Sequence, residues 1–397
     1  MPIPSPFHPR TLELCTSLLW KDWAGYYAVR SYDTSPEPEY HAIRHAAGLL
    51  DVTPLFKYEV RGRDAAEFLS WVMVRDIGKL KRGRMTYVCW CDDAGKVVDD
   101  GTVAHLDDDH YRVTAAEPTL AWLQRQALGF DVQLEDTSRA LGALALQGPS
   151  SRDILVDVAG ADVAKLRYFA ISAARIDGVD VWISRTGYTG DLGYEVWVPS
   201  DSCLRVWDAL LEAGRPHRIL PVGLDALDMT RVEAGFIMNG VDYFSAHQCP
   251  IESRKSTPYE IGLGWTVKTE REPFVGRDAL RAEQQRGSAW RFVGLEIDWD
   301  LYEALFAAYG LPPQVPVGAW RTPVPVLDVT GQQVGQATSG AWSPILKKNL
   351  ALASVQWAHG DAGNHLEIEV TAEYRRRFVP ATVVPLPFFD PERKRAT

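Results

Sequence analysis

The stretch TYVCWCDDAGKVVDDGTVAHL, residues 86–106, contains two runs of β-branched and aromatic residues separated by a turn cluster. The cluster is Asp92-Asp93-Ala94-Gly95, and the pattern predicts a β-hairpin. Asp99 and Asp100 interrupt the second strand of this hairpin. Because successive strand residues point to opposite faces, one carboxylate would face solvent and the other a polar cavity. Alternatively, the pair decorates an exposed strand, and the segment alone favours neither reading.

Composition limits the class of protein. A chain of 397 residues is too long for one compact core, and we expect two or three domains. A formal net charge of -10 argues against a general binder of nucleic acid or anionic membranes. The sequence contains no apolar run near the roughly 18 residues of a membrane span, and five cysteines without metal-ligand spacing predict no metal site. We therefore expect a cytoplasmic protein with no nucleic-acid or membrane partner.

The elements around the hairpin predict a compact α+β module over residues 56–136. A strand begins at Phe56, an amphipathic helix covers residues 64–72, and a further strand and helix follow the hairpin. A second set of strands and helices runs from about residue 140 to 234. It includes the run 194–198, in which Glu195 is the only acid and either points to solvent or is buried with a partner.

The C-terminal third has a different pattern. Six short strand-like segments between residues 293 and 384 are separated by turn residues, which predicts a small all-β domain, a barrel or jelly-roll. Residues 390–397 are predicted to be a loose tail.

Seven short blocks, in order over nearly the whole chain, resemble the aminomethyltransferase family, whose type member is the T-protein of the glycine cleavage system. The blocks are Gly48–Val52, Gly95–Asp100, Leu146–Pro149, Ser184–Glu195, Gly223–Ala234, Pro258–Trp265 and Thr338–Pro344. The resemblance implies an α+β fold of the T-protein type, a three-domain cloverleaf around a central hole that holds tetrahydrofolate. The domains would be residues 1–55 with 137–272, residues 56–136, and a C-terminal β-barrel or jelly-roll of residues 273–397.

The resemblance also assigns candidate site residues. Glu195 would bind the pterin, because a carboxylate is the two-oxygen acceptor that matches a fork of parallel N–H donors. Asp100 is the counterpart of the active-site aspartate and would polarise the incoming carbon or take up the proton released at N5 of the folate, with Asp99 facing away. Arg231 would keep Asp100 ionised or bind a substrate carboxylate. The aromatic candidates for the folate pocket are Tyr87, Tyr188 and Trp265.

Three departures from the T-protein pattern concern the one-carbon donor. Residues 53–56 and 114–117 replace the family's Ser-His-Met-Gly and Asn-Ala-Ala-Asn, and residues 299–320 are an additional segment. Because donor contacts set specificity, these changes favour transfer of a methyl group from a small N-, O- or S-methyl compound to N5 of tetrahydrofolate. The alternatives are an aminomethyltransferase that makes 5,10-methylenetetrahydrofolate with an aminomethyl-lipoyl carrier protein, and a folate-binding regulator without turnover.

Overall fold

The computed structural model describes residues 1–396, which fold into three large β-sheets and one separate hairpin. The N-terminal residues supply the hairpin, in which β1 and β2 are antiparallel, and one strand of a larger sheet. Their elements are α1 (His8–Leu14), β1 (Leu19–Trp23), β2 (Tyr26–Ser31), α2 (Glu37–His45) and β3 (Ala47–Asp51).

The next part of the chain forms a five-stranded antiparallel sheet with two helices. Its elements are β4 (Phe56–Arg61), α3 (Ala65–Val72), β5 (Arg84–Cys91), β6 (Val97–Asp107), β7 (His110–Ala115), α4 (Leu120–Gln126) and β8 (Gln133–Asp136). The strand order is β5-β6-β7-β4-β8. Phe68, Leu69 and Val72 recur at helical spacing in α3, and this apolar stripe packs against the sheet. The predicted hairpin is the β5–β6 pair.

A six-stranded sheet combines β3 with five later strands, in the order β10-β11-β12-β9-β3-β13. The elements are β9 (Leu141–Gln147), α5 (Ser151–Ala159), β10 (Ile171–Ile176), β11 (Val179–Ser184), β12 (Gly193–Pro199), α6 (Cys203–Gly214), β13 (Ile219–Pro221) and α7 (Leu224–Glu233). Helices α5 and α6 cover one face and bury Leu155, Val206 and Leu210 there. Trp197 and Tyr188 lie in the apolar cluster on the other face, which includes Met85 of the five-stranded sheet.

The C-terminal sheet is a closed barrel with the strand order β14-β17-β16-β15-β18-β19. Its elements, with the helices that precede and interrupt it, are α8 (Arg277–Arg286), β14 (Trp290–Ile297), α9 (Trp299–Ala307), β15 (Val324–Leu327), β16 (Gln333–Ser343), β17 (Lys348–Gln356), β18 (His365–Ala372) and β19 (Arg375–Val384). The predicted α+β class and the six C-terminal strands are confirmed.

Helix α7 lies where the three sheets meet. One buried cluster, the junction cluster, contains Cys89 of β5, Met229 and Val232 of α7, and Leu350 of β17. Nine of the ten residues of α7 are buried, all except Asp225. The helix is therefore a shared core element, and side chains that it carries can reach a site between the sheets.

The residues after β19 do not form the predicted loose tail. Phe389 donates its backbone N–H to the carbonyl of Glu233 at 2.9 Å, and Arg393 binds the carboxylate of Asp191 with two hydrogen bonds of 2.6 and 2.8 Å. The Arg185 guanidinium donates to the backbone carbonyls of Lys394 and Ala396. The prediction was wrong because these bonds come from buried groups distant in sequence; Thr397 lies outside the described residues.

Within residues 1–396, every helix is too short or too polar to cross a lipid bilayer.

Candidate active site

Asp100 on β6 accepts hydrogen bonds from two tyrosine hydroxyls. The β5–β6 register sets Asp100 opposite Cys89. The Tyr87 hydroxyl donates to Oδ2 at 2.6 Å, and the Tyr243 hydroxyl donates to Oδ1. Burial raises the pKa of Asp100, and the two phenol donors act in the opposite direction. The carboxyl group is therefore fixed in position and able to exchange a proton.

Asp99 was expected to face away from the site, but it is fully buried and contacts the same phenol as Asp100. The backbone N–H groups of Asp100 and Glu117 each donate to the Asp99 carboxylate at 2.9 Å, and Asn239 Nδ2 donates at 3.0 Å. The Tyr243 hydroxyl lies 3.5 Å from Asp99 Oδ1. These donors offset the cost of burying a carboxylate, which strand alternation alone does not consider.

The two aspartates form a coupled acidic pair. Burial, and then the charge of Asp100, raise the pKa of Asp99 to about 8. Neighbouring buried carboxylates titrate as a unit, because ionising the second opposes the charge of the first. The pair can therefore hold one proton at neutral pH and accept or release it without a large free-energy cost.

Glu195 lies on β12, beside Ser184 of β11. The Thr186 hydroxyl donates to Glu195 Oε2 at 2.6 Å. Burial raises the pKa of Glu195, and the hydrogen bonds from Thr186 and Ser184 lower it. The acid is thus partly enclosed rather than displayed on an exposed strand face.

Tyr188 lies in the glycine-containing connection between β11 and β12. Its hydroxyl donates to the carbonyl of Ile237, and its ring stacks on Phe236 with the centroids 5.5 Å apart. Burial raises the pKa of Tyr188; the positive charge of Arg231 lowers it and the negative charge of Asp100 raises it further. These electrostatic effects show that the phenol shares its surroundings with both charged groups.

Arg231 on α7 is fully buried between two carboxylates. Its Nε donates to Asp228 and its Nη1 to Asp242, each at 2.7 Å. Burial opposes its charge, but these carboxylates raise the pKa of Arg231 above the ordinary value. Its Nη2 is buried and has no hydrogen-bond partner among residues 1–396. The direct donors to Asp100 are phenols, whereas the Nη2 amino group of Arg231 remains available to a ligand.

Tyr87 and Trp265 form an aromatic pair next to Asp100. Their ring centroids are 6.3 Å apart and the planes differ by 20°. Trp265 remains 57% exposed, although it is a large apolar side chain. Flat, accessible rings of this kind can stack on a planar ligand.

The three segments that depart from the T-protein sequence pattern lie in different parts of the structure. Residues 53–55 lie between β3 and β4, and Phe56 begins β4. The buried Lys57 Nζ donates to the carbonyls of Thr53 and Leu55, each at 2.7 Å. Glu117 contacts Asp99 through its backbone and accepts a 2.7 Å hydrogen bond from Gln248.

The additional segment, residues 299–320, contains α9 and packs on the barrel through Tyr302 and Phe306. The residue after it, Arg321, donates to Asp228 Oδ2 at 2.5 Å. Of the three departures, only residues 114–117 thus contact Asp99, and the additional segment is followed by a residue that binds the Asp228 carboxylate beside Arg231.

Sequence reasoning did not find the partners supplied by residues 238–243. Asn239 and Tyr243 bind the acidic pair, and Asp242 binds Arg231. This segment has neither helical nor strand periodicity, so only its sequence Asn-Gly-Val-Asp-Tyr, a glycine turn followed by polar and aromatic residues, offered a signal.

Two family models match the chain. The GCVT N-terminal domain matches residues 16–271, and the glycine cleavage T-protein C-terminal barrel domain matches residues 313–390. The chain belongs to the glycine cleavage T-protein family. Enzymes of the T-protein family depend on tetrahydrofolate, and this chain is accordingly a folate-dependent one-carbon transferase.

Relatives within the T-protein family carry two different names. An aminomethyltransferase of Herpetosiphon aurantiacus is 35% identical over 361 residues, which cover 90% of this chain and 91% of the relative. One of Desulfitobacterium hafniense is 32% identical over 355 residues, covering 88% and 89%. A trimethylamine-oxide aldolase of Ruegeria pomeroyi is 34% identical over 403 residues, covering 98% of this chain but 47% of the longer relative.

A solved T-protein confirms the fold. The glycine cleavage system aminomethyltransferase T from Bartonella henselae superposes with a TM-score of 0.83 at 25% sequence identity, and the match covers 98% of this chain and 99% of that structure.

Proposed function

We propose that this enzyme transfers a carbon bound to nitrogen onto tetrahydrofolate, as an aminomethyltransferase that forms 5,10-methylenetetrahydrofolate. The observation that carries the proposal is the acidic pair Asp99–Asp100, with Tyr87 and Tyr243 donating to Asp100. Carbon transfer to a folate amine releases a proton, and this pair provides a buried acceptor, because burial raises the pKa of both carboxyl groups. The aminomethyltransferase relatives aligned over about nine tenths of the chain support the same reaction.

The residues present fit tetrahydrofolate. When bound, it supplies two nucleophilic nitrogens, N5 and N10, that accept the carbon. Glu195 offers a carboxylate for the parallel N–H donors of the pterin, and Thr186 fixes its orientation. The unpartnered Nη2 of Arg231 is a buried donor that a ligand oxygen would satisfy. Trp265 and Tyr87 offer flat surfaces for the aromatic part.

The residues of the site then have distinct roles in the reaction. Asp100 accepts the proton at its carboxylate, while the Tyr87 and Tyr243 hydroxyls hold that carboxylate in one orientation. Asp99 keeps Asn239 and the backbone of Glu117 in place. The carbon donor would be a lipoylated carrier protein that presents an aminomethyl group. The bonds of this carbon to nitrogen and to the lipoyl sulfur break as it joins N5 and N10, and the two N–H protons that the folate loses leave on ammonia and on the lipoyl thiol.

A second candidate function is transfer of a methyl group from a small methylated compound to N5. The specific observation that favours it is Glu117, which replaces the family's second asparagine and binds Gln248 while its backbone contacts Asp99. The name of the Ruegeria pomeroyi relative also refers to a small methylated amine, although this chain corresponds to about half of that protein.

The two functions yield different products. Purified enzyme is incubated with tetrahydrofolate and either the aminomethyl-loaded carrier protein or small methylated amines, sulfonium compounds and phenol ethers. Mass spectrometry distinguishes 5,10-methylenetetrahydrofolate from 5-methyltetrahydrofolate. Methylene product that requires the carrier is expected; methyl product from a small donor would replace the first proposal with the second.

Asp100→Asn tests, in the same assay, whether the acidic pair accepts the proton. We expect folate affinity to change little and turnover to fall by about 10²-fold or more, the range for a positioned acid or base. The matched control is Asp107→Asn, an exposed aspartate at the far end of β6. Normal turnover of Asp100→Asn would contradict the assignment.

A further inference from the structure

The Tyr243 hydroxyl lies between the two carboxyl groups of the acidic pair. It donates a hydrogen bond to Asp100 Oδ1, and its oxygen lies 3.5 Å from Asp99 Oδ1. A phenol carries a single hydrogen, and here that hydrogen points to Asp100. The contact with Asp99 is therefore a hydrogen bond when Asp99 is protonated and donates to the Tyr243 oxygen.

The surroundings of the two carboxyl groups favour the proton on Asp99. Asp100 accepts hydrogen bonds from two phenols, which stabilise its charged form against the effect of burial. Asp99 also accepts hydrogen bonds, but burial and the charge of Asp100 outweigh them and raise its pKa to about 8. The resting order is then an acid at Asp99, a phenol at Tyr243 and a carboxylate at Asp100.

We propose that Asp99 stores a proton and supplies it to the reacting groups through Tyr243 and Asp100. The proton of Asp99 moves to the Tyr243 oxygen as the hydrogen of Tyr243 moves to Asp100, so the phenol is neutral before and after the transfer. Asp100 then gives this proton to a leaving group. This role rests on the proposed function, because it adds an acid to the base already assigned to Asp100.

The proton count of the carbon transfer shows why the site needs an acid. Ammonia and the lipoyl thiol each take up one proton as they leave the carbon, and an ionised Asp100 has no proton to give. Asp99 supplies it, and Asp100 then accepts an N–H proton from the folate, which returns to Asp99 through Tyr243. Each leaving group consumes one proton and each folate nitrogen returns one, so the pair ends the cycle as it began.

The groups around the pair leave this proton within it. They are Tyr87 and Cys89 from β5, Tyr188 from the β11–β12 connection, Asn239 beside Tyr243, Glu117 after β7, and Arg231 from α7. Burial raises the pKa of all three tyrosines, so they stay protonated at neutral pH. The Glu117 carboxylate binds Gln248, and the Arg231 guanidinium binds two other carboxylates.

The decisive comparison is between Tyr243→Phe and Tyr87→Phe. Each variant removes one phenol donor from Asp100, but only Tyr243 also contacts Asp99. In the carrier-dependent assay we expect Tyr87→Phe to lower turnover by at most about tenfold and Tyr243→Phe by about 10²-fold or more, the range for a positioned acid. The double variant Asp99→Asn/Tyr243→Phe should lose no more than Tyr243→Phe alone, because both changes interrupt one path.

The pH profile separates a relay from a purely structural role. Because Asp99 must be protonated to act, turnover of the unaltered enzyme should fall as pH rises past about 8. This alkaline fall should persist in Tyr87→Phe and disappear in Asp99→Asn and in Tyr243→Phe.

Infrared difference spectroscopy detects the stored proton without any ligand. At pH 7 the spectrum of Asp99→Asn should lack one protonated-carboxyl band that the unaltered protein shows, whereas the exposed Asp107→Asn should lack none. An unchanged band in Asp99→Asn, or equal turnover of the two tyrosine variants, would overturn the relay alone. Absence of carrier-dependent methylene product from the unaltered enzyme would overturn the proposed function and the relay with it.

Discussion

Glu195 and Asp99 are both enclosed carboxylates, but different donors hold them. Asp99 accepts from two backbone N–H groups and an asparagine amide, so its acceptor sites are largely occupied inside the protein. Glu195 is held by the hydroxyl of Thr186. A carboxylate has about four lone-pair sites, so Glu195 can still accept hydrogen bonds from a ligand. The hydrogen bonds of Asp99 instead hold the surrounding backbone and Asn239 in place.

Replacing Glu195 tests its role towards folate. Glu195→Gln should weaken tetrahydrofolate binding by about 2 to 4 kcal/mol, because an amide presents one acceptor and one donor to a fork of two donors. Titration calorimetry measures the change. The exposed Glu135→Gln on β8 is the control and should bind normally. Unchanged affinity of Glu195→Gln would remove Glu195 from the pterin site.

The raised pKa of Asp99 predicts a pH dependence of stability. Between pH 3.8 and about 8 the folded protein retains a proton that the unfolded chain releases. The free energy of unfolding should therefore fall as pH rises through this window, by at most about 1.4 kcal/mol per pH unit for one proton. Asp99→Asn should flatten this slope in urea unfolding series, whereas the exposed Asp107→Asn should not. Identical slopes for Asp99→Asn and the unaltered enzyme would contradict the assignment.

At the scale of elements, periodic segments were predictable and irregular ones were not. The β5–β6 hairpin and the six barrel strands follow from residue pattern, because alternation and turn residues are local signals. The contacts of Tyr243 and Arg393 are set by groups distant in sequence, so local pattern carries no information about them. The sequence named candidate site residues within the seven blocks that resemble the family, but it could not name their hydrogen-bond partners.

The C-terminal tail is an element whose contribution can be measured. Arg393→Ala should lower the free energy of unfolding by about 1 to 3 kcal/mol, because Asp191 would stay buried with only Arg44 as a cationic partner. Urea unfolding gives the value. Arg395→Ala is the control, since its ion pair with Asp390 is about half exposed and should cost less than about 1 kcal/mol. Equal effects of the two variants would contradict a structural role of the tail.

At the scale of the whole molecule, α7 connects the three sheets. The junction cluster joins it to the five-stranded sheet and the barrel, and Leu227 packs in the cluster that contains Trp197 of the six-stranded sheet. Because α7 and β17 share this core with β5, loosening one sheet exposes apolar surface of the others. We therefore expect one cooperative unfolding transition despite the length of the chain.

Leu350→Ala tests this coupling. Removing the buried side chain should cost about 2 to 5 kcal/mol and shift the whole calorimetric transition to lower temperature. Val329→Ala, at an exposed position in the turn between β15 and β16, should stay within about 0.5 kcal/mol of the unaltered protein. Separate transitions, with only the barrel shifted by Leu350→Ala, would show that the sheets unfold independently.

The arrangement of β3 has a consequence for synthesis on the ribosome. Its hydrogen-bonding neighbours are β9, which begins 90 residues after β3 ends (141 minus 51), and β13, which comes later still. The five-stranded sheet lies entirely between β3 and β9, so it can complete its pairing first. At about 5–20 residues per second, β3 waits roughly 5 to 20 s as an unpaired apolar strand. During translation, this is the segment whose shielding by a chaperone would most reduce mispairing.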